Sequence, residues 1–155
     1  MNLPVRHALA TLSYRLGKVL RGTPPEFRDF TSPASGRTPG QILAHIGDLM
    51  DWALTQVEGR QAWHTSEPLP WPQEVARFHQ ALEQLDQRLA APGTSAIAAE
   101  RLFQGAIADA LTHTGQIALL RRMAGYPVRP ENYSVAEITT GRVGPDQAAP
   151  RQEFD

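Results

Sequence analysis

The sequence predicts an all-α protein, a four-helix bundle with an irregular C-terminal tail, and three observations lead to that prediction. Apolar residues recur three and four positions apart in four separate stretches, which is the period of a helix with one buried face. Most of the 13 prolines and 12 glycines fall between those stretches. Nowhere does the chain show the apolar-polar alternation that a half-exposed strand requires.

The first predicted helix covers residues 3–20. Its apolar stripe consists of Val5, Leu9, Leu12, Leu16 and Val19. Gly22 can end this helix in the left-handed conformation, and Pro24-Pro25 prevent its continuation. A loop rich in proline, serine and glycine is expected over residues 23–37.

The second predicted helix begins with a clear capping signal. Thr38 supplies a capping hydroxyl, Pro39 suits the first helical position, and the Gln41 side chain can reach back to the cap. The stripe that follows comprises Ile42, His45, Leu49 and Trp52. Gly59 is the expected end of this helix.

The third and fourth helices are predicted from an apolar seam and from stop signals. The third begins at Pro72 and closes at Pro92-Gly93, and its seam residues are Val75, Phe78, Leu82, Leu85 and Leu89. The fourth begins between residues 95 and 104 and runs to about residue 124, where Gly125 is a strong stop signal.

Residues 1–125 are therefore expected to form one bundle, and residues 126–155 an extended tail that packs partly on it. The tail contains four prolines and few aliphatic residues, and its last dozen residues have little to bury. The residues expected to pack it onto the bundle are Tyr126, Tyr133, Val135 and Ile138.

The composition excludes several classes of function. Fifteen Lys+Arg against sixteen Asp+Glu leave no basic footprint for nucleic acid or for an anionic membrane surface. The absence of cysteine excludes disulfides, thiolate zinc sites and a cysteine nucleophile. No stretch is apolar for long enough to span a bilayer, and the N-terminus lacks the core of a signal peptide. A cytoplasmic protein acting on a small-molecule substrate is expected.

Three residues have the spacing of a divalent-metal site. Asp109 and His113 are four residues apart, so both project from one face of the fourth helix. His45 lies on the inward stripe of the second helix, and packed helices are about 8–10 Å apart. Two imidazoles and a carboxylate suit zinc, nickel, iron or manganese. The alternative is that His45 is a core histidine and that Asp109 and His113 form a metal-free pair.

Further polar or aromatic residues lie near these three. Asp48, three residues after His45, could act as a general base or orient a ligand, or be solvated. Gln116, three residues after His113, could contact a ligand or line the pocket, or bond between helices. Trp52 is expected to line the pocket, although an aromatic residue there also suits the core.

Other titratable residues are not assigned to the site. His79 is adjacent to Phe78 rather than on the seam, so a boundary or surface position is expected. His64 falls in a loop and has no partner at a useful spacing. Asp51 is expected to be solvated.

Two motifs resemble those of the DinB/YfiT-like family of predicted metalloenzymes. ADALTHTGQIALLRRMAG, residues 108–125, is similar to the family's fourth helix, in which a ligand, three residues and a histidine precede a Gly-Gln pair. TPGQILAHIGDLMDWAL, residues 38–54, resembles the second helix, and His45 matches its metal-binding histidine. RPENY, residues 129–133, is also found in a subset of the family. Most members have histidine where this chain has Asp109.

The resemblance implies a four-helix bundle, often a homodimer, with a three-residue metal site facing a pocket. It also implies a metal-dependent enzyme, because characterised relatives include S-transferases and isomerases that use a low-molecular-weight thiol such as bacillithiol or mycothiol. A carboxylate at Asp109 makes the site harder and moves the metal preference towards iron, manganese or nickel.

Two other functions remain open from the sequence. One is a metal-dependent hydrolase in which Asp48 is the base that activates water. The other is a non-catalytic, stress-associated bundle that binds a metal or a small ligand, an alternative kept open by Asp109. DNA binding is set aside because the chain has no basic stripe.

Overall fold

The structure is a computed structural model that describes residues 3–155, and it is an all-α, four-helix bundle as predicted. The first three bundle helices are α1 (Leu3–Leu20), α2 (Pro39–Val57) and α3 (Trp71–Ala90). The fourth is a continuous run of α4 (Ala99–Leu102), a π-helical turn (Phe103–Ile107) and α5 (Ala108–Met123). Short 3-10 turns lie at Pro25–Asp29 and Tyr133–Val135. None of the helices in the described range is long and apolar enough to cross a membrane.

The helices pack so that α3 and α5 each contact both α1 and α2. The most extensive helix contact is between α2 and α3. Because α1 and α2 are consecutive but lie on opposite sides of the core, their connection has to cross one end of the bundle. The 3-10 turn in that connection contacts α2 and α3, and it buries the ring of Phe27 against Trp71.

The start of α2 is fixed by the predicted capping box. The Thr38 hydroxyl accepts from the Gln41 backbone N–H at 3.2 Å, and the Gln41 side-chain oxygen accepts from the Thr38 N–H at 2.9 Å. At the other end Gly59 has a φ of +80°, as expected of a helix stop. His45 therefore lies on a helix whose register is set close to its start.

The π-helical turn in the fourth helix has no counterpart in the sequence prediction. A π turn closes each hydrogen bond over one more residue than an α-helix does, so it rotates the face presented by the residues that follow. Asp109 is the second residue after this turn. The turn consequently contributes to the direction in which Asp109 and His113 project.

The C-terminal tail is anchored to α1 by a buried carboxylate. Glu131 accepts hydrogen bonds from the Tyr14 hydroxyl at 2.9 Å and from the Lys18 ammonium at 2.8 Å. Lys18 also pairs with Glu153 at 3.0 Å, which attaches the end of the tail to the same point. Polar contacts therefore hold residues that have little apolar surface to bury.

The packing of the tail differs from the prediction in two places. Val135 is exposed, and Val143 is instead the buried aliphatic residue of the tail. His79 was expected at a boundary or on the surface, and this prediction is wrong. The tail covers its imidazole, whose Nδ1 lies 3.4 Å from the Val143 carbonyl oxygen. A histidine beside the seam is buried here because a distant segment folds over it.

The anchor of the tail predicts a pH-dependent contribution to stability. Burial and the hydrogen bond to Glu131 raise the pKa of Tyr14 from 10.0 to about 12. The hydrogen bond to a charged acceptor is expected to contribute about 2 kcal/mol to the free energy of unfolding at pH 8. Because the folded-state pKa is raised, this contribution is present below pH 10 and is lost as the pH rises towards 12.

Urea unfolding of wild type and Tyr14→Phe between pH 8 and pH 11.5 measures this contribution. The free energy of unfolding of wild type should exceed that of Tyr14→Phe by about 2 kcal/mol at pH 8, and this difference should shrink above pH 10. Tyr133→Phe is the control, because the Tyr133 hydroxyl has no hydrogen-bond partner within residues 3–155. A Tyr14→Phe difference that stays constant up to pH 11.5 would contradict the assignment.

Candidate metal centre

The structure brings His45, Asp109 and His113 together between α2 and α5. The His45 Nε2 lies 3.4 Å from one Asp109 carboxylate oxygen, and the His113 Nε2 lies 3.4 Å from the other. The two imidazole rings are perpendicular, with centroids 4.7 Å apart. One ligand atom from each residue lies within 4.8 Å of the other two. The predicted triad is thus a cluster of potential ligands, which we call the triad below.

Gln116 orients one of the two imidazoles. Its side-chain oxygen lies 2.7 Å from the His113 Nδ1, so the Nδ1–H donates this hydrogen bond. A proton on Nδ1 leaves the Nε2 lone pair free, and Nε2 is the atom that faces Asp109. Partners of this kind set the tautomer and the direction of metal-binding histidines.

His45 is held neutral by its surroundings. Burial lowers the pKa of His45, and the neighbouring His113 and Arg37 side chains lower it further, while Asp109 opposes the shift. The Trp63 ring packs edge-on against His45 with centroids 5.6 Å apart. A neutral imidazole with its solvent side partly covered is the form that binds a divalent ion.

An open cleft of about 350 Å³ begins at His113. Gln116 and Arg37 are among its polar lining residues, and its apolar wall comes mainly from the last turns of α5. Trp52, which the sequence analysis expected in the pocket, is not among the residues that line this cleft. Its ring packs instead against Trp63, with centroids 6.0 Å apart. Trp52 therefore supports the residue that covers His45.

Asp48 takes part in a separate ion-pair cluster. Its carboxylate is buried and accepts from Arg77 at 2.5 Å and from the Ser66 backbone N–H and hydroxyl at 2.8 and 2.7 Å. Burial alone raises the pKa of Asp48, but these hydrogen bonds outweigh it and leave the pKa below its ordinary value. A carboxylate bound in this way is a poor proton acceptor, which weakens its predicted role as a base.

Asp51 and His64 belong to the same cluster as Asp48. The His64 Nε2 lies 3.1 Å from Asp48 and 3.2 Å from Asp51, so the expectation that His64 lacks a partner is wrong. Asp51 also pairs with Arg77 at 2.9 Å and is half-buried rather than fully solvated. These contacts tie the loop between α2 and α3 to both helices.

The cluster acts on the triad through that loop. Trp63 directly precedes His64, and Ser66 follows two residues later, so the contacts to Asp48 hold the segment that places the Trp63 ring against His45. Sequence reasoning missed Trp63, because a loop residue has no periodicity. The only sequence feature that pointed to Trp63 was its place in the connection between two predicted helices.

Gly47 makes the Arg77 contacts sterically feasible. A Cβ atom at Gly47 would lie 2.5 Å from an Arg77 guanidinium nitrogen, so this position has to be glycine for the guanidinium to lie across α2. Arg77 there also donates to the Ala44 carbonyl oxygen at 2.9 Å. The Arg77 side chain from α3 thus lies against four residues of α2, namely Ala44, Gly47, Asp48 and Asp51.

Comparison with protein-family models, with curated proteins and with solved structures gives no match for this chain. The resemblance to the DinB/YfiT-like family thus stays a prediction that rests on the two sequence motifs. The function has to be inferred from the geometry of the triad and of its surroundings.

Removal of the Arg77 charge is expected to be strongly destabilising. Arg77→Met leaves the buried Asp48 carboxylate without its charged partner, which should reduce the free energy of unfolding by about 3 kcal/mol. Urea unfolding at pH 7 measures the change. The double variant Asp48→Asn/Arg77→Met should recover part of the loss, because Asp48 then no longer leaves an unpaired charge. Recovery is expected to be incomplete, because the buried Glu74 carboxylate also loses its Arg77 partner.

Arg88→Met is the matched control on the same helix, because Arg88 makes no ion pair within the described residues. It is expected to change the free energy of unfolding by less than about 0.5 kcal/mol. Equal effects of Arg77→Met and Arg88→Met would contradict the assignment of a structural ion pair to Asp48.

Proposed function

We propose that this protein is a metal-dependent enzyme whose divalent ion is held by His45, Asp109 and His113. The observation that carries the proposal is the pair of N···O separations of 3.4 Å within the triad. Ordinary N–H···O hydrogen bonds are shorter, about 2.7–3.2 Å. Two ligand atoms at about 2.1 Å from a tetrahedral ion lie about 3.4 Å apart. The separations therefore fit coordination to a common ion better than direct hydrogen bonding.

The donor set also suits a divalent metal. Two neutral imidazoles and one carboxylate are ligands of zinc, nickel, iron and manganese. Gln116 fixes the His113 tautomer so that its Nε2 lone pair is free, and burial keeps His45 unprotonated near neutral pH. Asp109 supplies the negative charge that partly balances the ion. A divalent ion bound here supplies Lewis-acid polarisation and lowers the pKa of a bound water or thiol.

The openness of the triad favours an enzyme over a non-catalytic binding module. The Asp109 side chain is 45% exposed, and the cleft reaches His113. Structural metal sites are closed by four protein ligands, whereas catalytic sites have three and leave a position for substrate. The three residues of this triad correspond to the second arrangement.

Within this class we favour a transferase that uses a low-molecular-weight thiol. The motifs around His45 and His113 resemble those of a family that contains such enzymes. The chain has no cysteine, so a thiol nucleophile would have to come from a small molecule. The hydrolase alternative is weakened because Asp48, its predicted base, is engaged by Arg77 and Ser66. The homodimer and the cytoplasmic location stay predictions.

Metal content is the direct test of the proposal. Protein purified without a nickel column is analysed for its elements as isolated and after reconstitution with each candidate metal. We expect about one equivalent of metal in wild type and less than a tenth of that in His45→Ala and Asp109→Ala, because two protein ligands hold a divalent ion poorly. His7→Ala is the control, since His7 is exposed on α1 and lies far along the chain from the triad.

Gln116 gives the same experiment a graded variant. Gln116→Leu removes the partner of the His113 Nδ1–H and should weaken metal affinity by about 10- to 100-fold without abolishing binding. Gln116→Glu keeps an acceptor and should bind at least as tightly as wild type. No metal in reconstituted wild type would overturn the proposal and leave the triad as a polar cluster between helices.

A further inference from the structure

The cleft next to the triad has a cationic rim. Arg37 lines it, and the guanidinium has no hydrogen-bond or ion-pair partner within residues 3–155. Arg37 and His113 line the same cleft, so the guanidinium lies beside the triad. The hydroxyl of Ser35, which also lines the cleft, has no partner in the described residues either. These groups are free to bind a ligand that enters the cleft.

The cleft also has an apolar and exposed part of its wall. Leu119 and Met123 lie one turn apart on α5 and are 55% and 45% exposed. Ile42 and Leu120 continue the apolar lining towards the core. Two adjacent exposed aliphatic side chains beside an unpaired cation suit a ligand that has both an apolar part and an anionic part.

The charge balance of the cleft favours an anion. In the metal-loaded state that we propose, the single negative charge of Asp109 faces the two positive charges of the ion and the one positive charge of Arg37. The site then carries a net positive charge, and none of the described residues that line the cleft is acidic. A single guanidinium presents two parallel N–H groups, which match the planar carboxylate of a monoanion.

We propose that this cleft is the substrate site and that its ligand is a small carboxylic acid with an apolar chain. The carboxylate binds Arg37, and the apolar chain lies along Leu119 and Met123 in the cleft that His113 also lines. This inference rests on the proposed metal-dependent function, since it names the substrate class of the same site.

Hexanoate is a suitable probe, because it combines one carboxylate with a short apolar chain. Its binding to the zinc-loaded, ¹⁵N-labelled full chain is followed by amide chemical shifts, a method that detects millimolar affinity. Hexan-1-ol is the control ligand that lacks the charge, and acetate is the control ligand that lacks the apolar chain. Hexanoate should bind at least tenfold more tightly than hexan-1-ol, and it should shift amides near Arg37 and in the last turns of α5.

Variants separate the two parts of the site. Arg37→Gln should weaken hexanoate binding at least tenfold and leave hexan-1-ol unchanged, whereas Arg37→Lys should retain part of the affinity. Arg122→Gln is the control for net charge, because Arg122 is exposed on α5 but does not line this cleft. Leu119→Ser should reduce the advantage of hexanoate over acetate, which is about fourfold for each methylene buried.

Each outcome decides between defined alternatives. Unchanged hexanoate binding in Arg37→Gln, or equal binding of hexanoate, hexan-1-ol and acetate, would overturn the substrate site. Elemental analysis of the same samples keeps the two proposals apart. If the protein holds zinc but its binding of hexanoate does not depend on Arg37, the carboxylate site alone is rejected. Arg37-dependent binding of hexanoate to a chain that holds no zinc rejects the metal site alone.

Discussion

The packing of α2 against α5 is the contact on which the candidate site depends. His45 lies between buried apolar neighbours on α2, and Asp109 and His113 are interleaved with buried residues of α5. Those neighbours are Ile42, Ile46 and Leu49 on α2, and Ala110, Thr114 and Ile117 on α5. The apolar residues fix the distance between the two helices and the rotation of each helix. The three polar side chains are therefore held within reach of one ion.

The residues that the structure describes contain two clusters of histidine and aspartate, and their surroundings separate their roles. The ligand atoms of Asp48, Asp51 and His64 are as close together as those of the triad. In that cluster the Arg77 guanidinium already pairs with both carboxylates, so a divalent ion would have to displace a buried ion pair. The triad has no such cation among its ligands. The cluster of Asp48, Asp51 and His64 therefore stabilises the loop between α2 and α3, and the triad is available for a metal.

The sequence was informative where structure depends on local spacing and silent where it depends on distant contacts. The capping box at Thr38 and the stripe that carries His45 determine helix start and face within a few residues, so both could be predicted. The Arg77 ion pairs, the burial of His79 by the tail and the position of Trp63 all join segments far apart in the chain. Periodicity contains no information about such contacts, and these are the features that the structure added.

The most direct test of the account is anomalous X-ray diffraction from crystals of the zinc-loaded protein, measured at the zinc absorption edge. The account predicts one strong peak about 2.0–2.2 Å from the Nε2 atoms of His45 and His113 and from an Asp109 carboxylate oxygen. A peak among Asp48, Asp51 and His64, or no peak at the triad in a sample that contains one equivalent of zinc, would contradict it.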